Sequence, residues 1–405
     1  MTFSTVVVLQ VLVALIVVSH EAEARCANLT SFKDEHGSII DCIDIHKQPA
    51  LNHPLLKNHK IQLRPSSLPK GMREEARLNR GGPARALREC PYGTVPIMRT
   101  KRGGSNSTKA NRALAHPIRA ASINPSTSDS SGTSLFAGIT TPDLSRKFYG
   151  GRVELSVYNL TNIVSPQISQ TLLWLGSDVQ GDFNSLEFGW TVSIPNLIAI
   201  SHTWYMRIWM VNPQIYGDNR TRTYSLWTAD GHKSTGCYNA ECQGYVQVSR
   251  TAFLGAPIVP VSDPGHQTYY MEFFLFKDKN TGNWWLTQTL LTGKYEQVGY
   301  WPKELFTSMR DFAKVIQIGG KVYIPASAPG NPQMGSGAFV PNDLTRTCYA
   351  TDIEFVNSDN QFYPPKDVNI KVVADKGEIY NADSMVDNST SWGYTILFGG
   401  PDIKK

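Results

Sequence analysis

The stretch FNSLEFGWTV places one carboxylate among apolar side chains, a setting suited to acid–base chemistry. On a strand, Glu187 and Gly189 would share one face because side chains alternate along the chain. A glycine beside the glutamate would leave open space for a substrate, and a partly dry setting favours proton transfer by a carboxyl group. The plainer interpretation is a glutamate on the solvent-facing side of a sheet. The opposite face of the strand would carry Leu186, Phe188 and Trp190.

A second stretch, VIQIGGKVYIP, reads as a strand with one charge in its middle, Lys321. Lysine is poor in strand interiors and costly to bury. Lys321 therefore lies either on the exposed side of an edge strand or with its ammonium group directed into a site.

Motifs for several other chemistries are missing from the sequence. No glycine-rich phosphate loop, H-E-x-x-H or G-x-S-x-G occurs, and the nine histidines are scattered. A metal site at Cys237 and Cys242 would need more nearby cysteine or histidine than His232. We expect no metal, no cofactor and no nucleic-acid partner.

The first residues have the pattern of a secretory signal peptide. Residues 6–19 form an apolar run, and Ala22–Ala24 supplies the small residues of a cleavage site. No later run stays apolar over about 18 residues, so no membrane span is expected after signal cleavage. We expect a secreted protein, found in the extracellular space or apoplast, or in the vacuole.

An export route permits disulfides and glycosylation. Cys237 and Cys242 are separated by four residues and suit a small loop closed by a disulfide. The other four cysteines cannot be paired from the sequence alone; Cys42 and Cys90, which share the N-terminal segment, are the candidates for a second bond. N-x-[ST] sequons, the candidate glycosylation sites, occur at Asn28, Asn106, Asn159, Asn219 and Asn388.

Charge divides the chain into a basic N-terminal segment and a near-neutral body. Residues 25–104 hold 15 Lys or Arg and 7 Asp or Glu, whereas residues 105–405 hold 24 and 25. A basic segment docked on an acidic cleft, and released at a processing site after Lys101-Arg102, explains this asymmetry. The expected divisions are a signal peptide at 1–24, a small pro-domain at 25–102, a linker at 103–145 and a body at 146–405.

The body alternates short runs rich in β-branched and aromatic residues with turn signals, which favours an all-β fold built as an antiparallel β-sandwich. FLFKDKNTGNWWL reads as a hairpin with Gly282 in its turn. One candidate helical period lies near Lys303–Ala313. The stretch Ser193–Val211 interrupts the pattern, since it has neither alternation nor turn chemistry.

Seven motifs occur in order along the chain: EFGW, IYGDNRTRTYSLWTADG, STGCYNAECQGYVQ, TGNWWL, VGYWPKELF, IGGKV and MGSG. With IDCIDIHKQPALNHPLLKNHKIQLRPS and CPYGTVPIMRT nearer the N-terminus, the sequence resembles the plant neprosin family of glutamic peptidases over residues 38–102 and 148–400. The resemblance implies a β-sandwich peptidase made as an inactive precursor. Its activation peptide would be an intramolecular inhibitor, and the enzyme would cleave after proline at acidic pH. We expect a monomer.

The same resemblance implies two catalytic glutamates in a cleft on one sheet. Glu187 matches the first, whereas the G-G-E motif of the second reads Gly319-Gly320-Lys321 here. Two adjacent carboxyl groups share a proton because both cannot ionise cheaply, and an ammonium group cannot take that role. We therefore expect an ion pair with Glu187 and absent or weakened peptidase activity, unless another acid such as Glu272 substitutes.

The family runs from GWTV almost directly into the motif that reads NPQIYGD here. In this chain a 19-residue insertion, Ser193–Val211, separates them. The insertion is either a genuine loop beside the site or an artefact of gene prediction. Cys348 has no family partner and is either free or bonded to Cys26.

Three functions are compatible with these observations, and the least specific of them is a structural or storage glycoprotein with no retained site. The other two assign a role to the cleft. The first is a secreted glutamic endopeptidase precursor that cleaves proline-containing peptides or proteins through Glu187. The second is a catalytically silent family member that binds peptide or cell-wall material through the cleft. By motif position, the residues expected to line that cleft are Trp174, Trp190 and Tyr300.

Overall fold

The computed structural model describes most of the chain between residues 30 and 401. The signal peptide, the processing site, the insertion, Cys26 and the sequons at Asn28, Asn106 and Asn388 lie outside the described residues. These residues are 30–71 without 36, 82–83, 89–99, 127–129, 132–192 without 161, 165, 166 and 180, 216, 218–340 without 329, 345–386 and 392–401.

Strands dominate the described residues, and the helical elements are five short 3-10 turns at Ile45–Lys47, Pro49–Asn52, Pro54–Leu56, Lys303–Leu305 and Pro365–Asp367. The strands are β1 Ser31–Lys33, β2 Ile39–Asp44, β3 Gly82–Pro83, β4 Thr94–Met98, β5 Thr127–Asp129, β6 Gly132–Thr140, β7 Gly150–Ser156, β8 Ile168–Val179, β9 Asp182–Val192, β10 Arg222–Thr228, β11 Cys237–Tyr238, β12 Val246–Gln247, β13 Ile258–Val259, β14 Tyr270–Lys277, β15 Trp284–Thr289, β16 Tyr295–Trp301, β17 Val315–Pro325, β18 Cys348–Val356, β19 Phe362–Tyr363, β20 Lys371–Ala374, β21 Asn381–Val386 and β22 Tyr394–Gly399.

Two large antiparallel sheets form the body. The eight-stranded sheet has the order β11-β10-β9-β8-β17-β6-β20, with β5 added beside β6. The nine-stranded sheet has the order β12-β16-β15-β14-β7-β18-β22-β21, with β19 added beside β18. β17 therefore lies inside its sheet, between β8 and β6, and is not an edge strand.

The sheets pack face to face over one apolar core, which confirms the expected β-sandwich. Leu186 and Phe188 of β9 enter this core from the eight-stranded sheet, and Phe273 and Leu275 of β14 enter it from the nine-stranded sheet. The Phe188 and Phe273 rings meet edge to face with centroids 4.6 Å apart. Because apolar side chains alternate along β9, its other face, which carries Glu187, points away from the core.

Most turn assignments made from the sequence agree with the structure. β14 and β15 form the expected hairpin, and Gly282 has φ +81° in its turn. The prediction of a helix at Lys303–Ala313 was wrong except for one short 3-10 turn, Lys303–Leu305.

The cysteines of the body form one disulfide. Cys237 is bonded to Cys242, and Cys348 is a free, buried thiol. No helix among the described residues is long and apolar enough to cross a membrane.

The linker expected at 103–145 ends earlier than its composition suggested. Gly132–Thr140 forms β6, an inner strand that pairs with both β17 and β20. Leu135, Ala137 and Ile139 alternate toward the core, and this period-two signal was masked by the surrounding Ser, Thr and Gly. The site sheet therefore includes residues that precede the predicted body.

The N-terminal segment, meaning here the described residues from 30 to 99, has a small sheet of its own with the order β1-β2-β4. A disulfide joins Cys42 to Cys90. Beyond that sheet, the chain runs across the nine-stranded sheet, where Ala50 packs with Trp285 and Tyr300.

Candidate functional site

The pairing register of β9, β8 and β17 places the two predicted site residues on one face. Glu187 of β9 lies opposite Trp174 of β8, and Trp174 lies opposite Gln317 of β17. Lys321 follows Gln317 by four positions, so its side chain emerges on the same face as those three residues. A long side chain is needed to cross from β17 over β8 to β9.

Lys321 makes that crossing and contacts both oxygens of the Glu187 carboxylate. Its Nζ atom lies 2.9 Å from Oε1 and 2.9 Å from Oε2. The Glu187 side chain is 1% exposed and that of Lys321 is 14% exposed. The positive charge of Lys321 in β17 is thus paired with Glu187 in a nearly buried ion pair and does not point to solvent.

Tyr224 of β10 completes the set of donors around the carboxylate. Its hydroxyl group donates a hydrogen bond to Glu187 Oε1. Burial raises the pKa of Tyr224 well above its ordinary value, and the negative charge of Glu187 raises it further. The phenol therefore keeps its proton at physiological pH, and Glu187 is surrounded by an ammonium group and a hydroxyl group that both donate.

Aromatic clusters flank this ion pair along the same face. Trp174 stacks on Phe183, with ring centroids 5.9 Å apart, in a cluster with Phe136 and Leu172. On the other side, a second cluster contains Ile168, Tyr224, Leu226, Tyr238 and Tyr323. Such an apolar surround strengthens the interaction between the two charges because it excludes water.

Of the three expected cleft residues, only Trp174 lies on the Glu187 face. The prediction that Trp190 lines the cleft was wrong, because its side chain points from β9 into the core. Its Nε1 atom donates a hydrogen bond to Ser156 O at 2.9 Å there. The same prediction for Tyr300 was also wrong, because Tyr300 belongs to β16 of the other sheet, where it stacks on Trp285. Motif order along the chain does not reveal which face of which sheet a residue occupies.

Glu272, the acid suggested as a substitute for the missing glutamate, lies on the far side of the sandwich. It stands on the outer face of β14, where it accepts hydrogen bonds from Thr289 at 2.8 Å and Tyr295 at 3.2 Å. Its neighbours Met271 and Phe273 point into the core. The whole core thus separates Glu272 from Glu187, and it cannot complete a catalytic pair there.

Asp375, just after β20, is a titratable acid in the same sheet as the ion pair. It accepts a hydrogen bond from Phe136 N at 2.7 Å, and burial raises its pKa to about 6. Phe136 pairs with Lys321 across β6 and β17. The Asp375 carboxylate contacts β6, which is three strand positions from β9, so it lies roughly 14 Å from Glu187 and is too far away to share a proton with it.

Gly189 has a different role from the one its sequence position suggested. A Cβ atom added there would overlap the carbonyl oxygen of Thr171 on β8. The glycine is therefore required for the close approach of β8 and β9, and it does not leave a groove over the strand. The expectation of an open space beside Glu187 was wrong for this reason.

Tyr224 was missed by the sequence reasoning. Its motif, TRTYSLWT, shows the alternation of a strand and places Tyr224 on one face with Leu226. Consecutive strands often pair, so β10 was a natural neighbour of β9. The insertion between β9 and β10 in the sequence made that adjacency hard to recognise.

The described residues contain no group of three or more His, Cys, Asp or Glu that could hold a metal ion.

Comparison with known proteins identifies relatives of most of the chain. A family model described as Neprosin matches residues 201–401, and one described as Neprosin activation peptide matches residues 31–133. Glu187 lies between the two matches, and its assignment rests on the EFGW motif and the contact with Lys321.

Two solved structures show distant likeness. SCP-B, a member of the eqolisin family of peptidases in a complex with the tripeptide Ala-Ile-His, is 14% identical, with 66% of this chain and 98% of that chain covered and a TM-score of 0.29. The β-porphyranase BpGH16B from the human gut bacterium Bacteroides plebeius is 11% identical, with 47% and 64% covered and a TM-score of 0.20. Both likenesses are too weak to indicate a function.

Proposed function

Since the chain belongs to the neprosin family of peptidase precursors and carries its activation peptide, we propose that it has lost peptide-bond hydrolysis and retains a peptide-binding face. The observation that carries this proposal is the contact of Lys321 Nζ with both Glu187 oxygens at 2.9 Å. An ammonium group occupies the place where a second carboxyl group would supply the exchangeable proton.

The chemistry of a carboxyl pair explains why this exchange matters. At acidic pH such a pair holds one negative charge and one proton, so one carboxylate activates water while the other carboxylic acid protonates the leaving group. Glu187 and Lys321 together contain one carboxyl group, so the second carboxylic acid of such a pair is missing. The ammonium group also contacts both oxygens of the Glu187 carboxylate, which leaves neither oxygen free to bind the attacking water.

The flanking aromatic clusters support a peptide-binding role for the same face. The Nε1 atom of Trp174 is buried and has no hydrogen-bond acceptor among the described residues. A buried indole N–H beside apolar rings suits a peptide carbonyl oxygen, while the rings suit apolar side chains or proline. Cell-wall material is the alternative ligand for this face, and binding assays should include a cell-wall polymer beside a peptide.

One observation favours the alternative, an acid-activated endopeptidase that cleaves after proline. Lys321 and Tyr224 both carry protons next to Glu187, and the ammonium group could polarise a substrate carbonyl oxygen. Hydrolysis would then depend on Glu187 as the only base. Loss of activity in a Glu187→Gln variant would identify this mechanism.

Export of the protein is part of the proposal. Asn159 and Asn219, the two sequon residues that the structure describes, are both exposed. Two disulfides, at Cys42–Cys90 and Cys237–Cys242, suit an oxidising compartment. Glycan analysis after expression in a secretory host tests this: we expect glycans at both exposed asparagines.

The decisive experiment restores the carboxyl pair by Lys321→Glu. The full chain, cut between residues 100 and 126, is incubated at acidic pH with a quenched proline-containing peptide. We expect no cleavage by the natural protein, measurable cleavage by Lys321→Glu, and none by the double variant with Glu187→Gln. Because glutamate is shorter than lysine, the two carboxyl groups would leave room for a water molecule between them.

Lys321→Gln is the matched control, since it removes the charge without adding a carboxyl group. It should stay inactive. Cleavage by the natural protein that Glu187→Gln abolishes would overturn the proposal. A folded Lys321→Glu variant that binds peptide but does not cleave it would show that Lys321 is not the cause of the lost activity.

A further inference from the structure

The N-terminal segment shares hydrophobic cores with the body and does not merely rest on it. Leu56 and Ile97 belong to the large hydrophobic cluster that includes the core between the two sheets. Ala50, 2% exposed, belongs to a second cluster on the outer face of the nine-stranded sheet, with Trp285 and Tyr300. Removal of the segment would expose aromatic rings that are fully buried in the intact chain.

A reciprocal amide contact joins the segment to the edge strand β12. Gln247 N donates to Gln48 Oε1 at 2.7 Å, and Gln48 Nε2 donates to Gln247 O at 3.2 Å. Gln48 is 1% exposed. Separation of the two pieces would leave the backbone groups of Gln247 without these partners, which is costly at a surface surrounded by apolar side chains.

The Asp278 carboxylate is a second polar anchor, located in the turn of the β14–β15 hairpin. It accepts hydrogen bonds from Ser66 N at 2.6 Å and from Gln62 Nε2 at 2.6 Å, and also from the Ser66 hydroxyl group. Asn283 Nδ2 donates to Gln62 Oε1 at 2.8 Å. Bonds to a charged acceptor are the stronger kind, and these fix the segment over the hairpin.

Backbone pairing adds contacts that a loosely attached segment would not form. Lys70 N donates to Asn360 O at 2.7 Å, and Phe362 N donates to Lys70 O at 3.0 Å. Cys90 N donates to Arg250 O at 3.0 Å. β3 of the segment pairs with β13 of the body, and the two form a separate two-stranded sheet.

We propose that, once a protease cuts the chain between residues 100 and 126, the N-terminal segment stays bound as a non-covalent subunit of a two-chain protein. Both disulfides of the described residues lie within one piece, Cys42–Cys90 in the segment and Cys237–Cys242 in the body, so neither of them would tether the pieces. The proposal does not rest on the loss of peptidase activity.

The described part of the N-terminal segment binds away from the Glu187 site and does not block it. No hydrogen bond, ion pair or ring contact joins the described part of the segment to Glu187, Lys321 or Tyr224. Its contacts lie on the outer face and edges of the sandwich. A subunit bound there completes the body's cores and leaves the Glu187 face free of its described residues.

The test uses the full chain with a site for a specific protease inserted between residues 103 and 126. After complete cleavage at pH 7.5, the sample is passed over a size-exclusion column in a high-salt buffer, which screens non-specific attraction of the basic segment. We expect the two pieces to co-elute. Elution of the segment by itself, or precipitation of the body after the cut, would overturn the proposal.

Asp278→Asn tests the polar anchor. Asp263→Asn is the matched control, because Asp263 is exposed and its one ion pair among the described residues is with His266 in its own loop. Loss of charged hydrogen bonds should speed dissociation of a labelled segment about tenfold to a hundredfold. Ser66→Ala, changed on the segment side, should act in the same direction without altering the hairpin. Equal rates in all variants would exclude Asp278 as an anchor.

Discussion

At the scale of single residues, the proposed loss of hydrolysis rests on the contact of Lys321 with Glu187. A glutamate at position 321 would give Glu187 a partner that shares a proton, and a lysine gives it a permanent counter-charge. The lysine keeps the fold intact because its length lets Nζ reach across β8 to both carboxylate oxygens at 2.9 Å. Tyr224 then supplies a further donor.

The ion pair should show strong energetic coupling. We expect Glu187→Gln and Lys321→Gln each to lower the free energy of unfolding by about 2–4 kcal/mol, because each leaves a nearly buried charge without its partner. The double variant should lose less than the sum of the two, with a coupling of at least about 1 kcal/mol. Urea denaturation of the four proteins measures this.

The exposed pair Arg99–Asp41 is the control, since the Arg99 side chain is 51% exposed. Solvent screening should make its coupling smaller than that of Glu187 with Lys321. Equal coupling energies at the two pairs would show that the site pair is as solvated as a surface pair and would contradict the burial seen here.

At the scale of elements, the close approach of β8 and β9 determines where Glu187 lies. The backbone of Thr171 occupies the space where a side chain at position 189 would begin. The glycine in the E-x-G-W motif is thus part of the sheet geometry that fixes the carboxylate, and its role does not depend on a bound substrate.

Gly189→Ala should destabilise the protein by at least about 1–3 kcal/mol, since the added methyl group overlaps backbone that cannot move independently. Gly377→Ala is the control, because a Cβ atom at Gly377 meets nothing within 4 Å. Thermal denaturation should show a lower midpoint for the first variant and little change for the second. A tolerated Gly189→Ala would mean that β8 and β9 can separate without cost.

Sequence reasoning predicted Glu187, Lys321 and Trp174 of the site but missed Tyr224. Alternation within one strand was enough to separate Glu187 from Leu186, Phe188 and Trp190, and that separation is correct. The order of the strands in each sheet could not be predicted from the sequence, because it depends on which distant strands pair. Tyr300 was therefore assigned to the wrong sheet, and β6 was hidden in a segment whose composition suggested a linker.

At the scale of the whole molecule, the N-terminal segment and the body share hydrophobic clusters, and two partly buried histidines of the segment lie where the two meet. Burial lowers the pKa of His53 and of His59, and the nearby Glu304 partly offsets this for His59. His59 Nε2 lies 2.7 Å from the Tyr300 hydroxyl group, and the His53 ring contacts Trp227. The lowered pKa favours the neutral form of both rings while the segment is docked.

A histidine whose folded-state pKa is lowered adds stability that is fully present above its ordinary pKa of about 6.5 and is lost as pH falls below that value. We therefore expect hydrogen exchange around residues 48–66 to speed up between pH 6.5 and pH 5. His59→Gln should reduce that pH dependence, while His266→Gln, in an exposed loop, should not. Exchange that is equally slow across this range would show that the histidines do not loosen the segment.

Whether the natural protein hydrolyses peptide bonds is measured most directly by comparing it with its own Glu187→Gln variant. Both are cut between residues 100 and 126 and incubated at acidic pH with a denatured, proline-rich protein, and the products are identified by mass spectrometry. We expect identical fragment patterns, equal to those of the substrate incubated by itself. New fragments ending in proline that appear with the natural protein and not with Glu187→Gln would contradict this expectation.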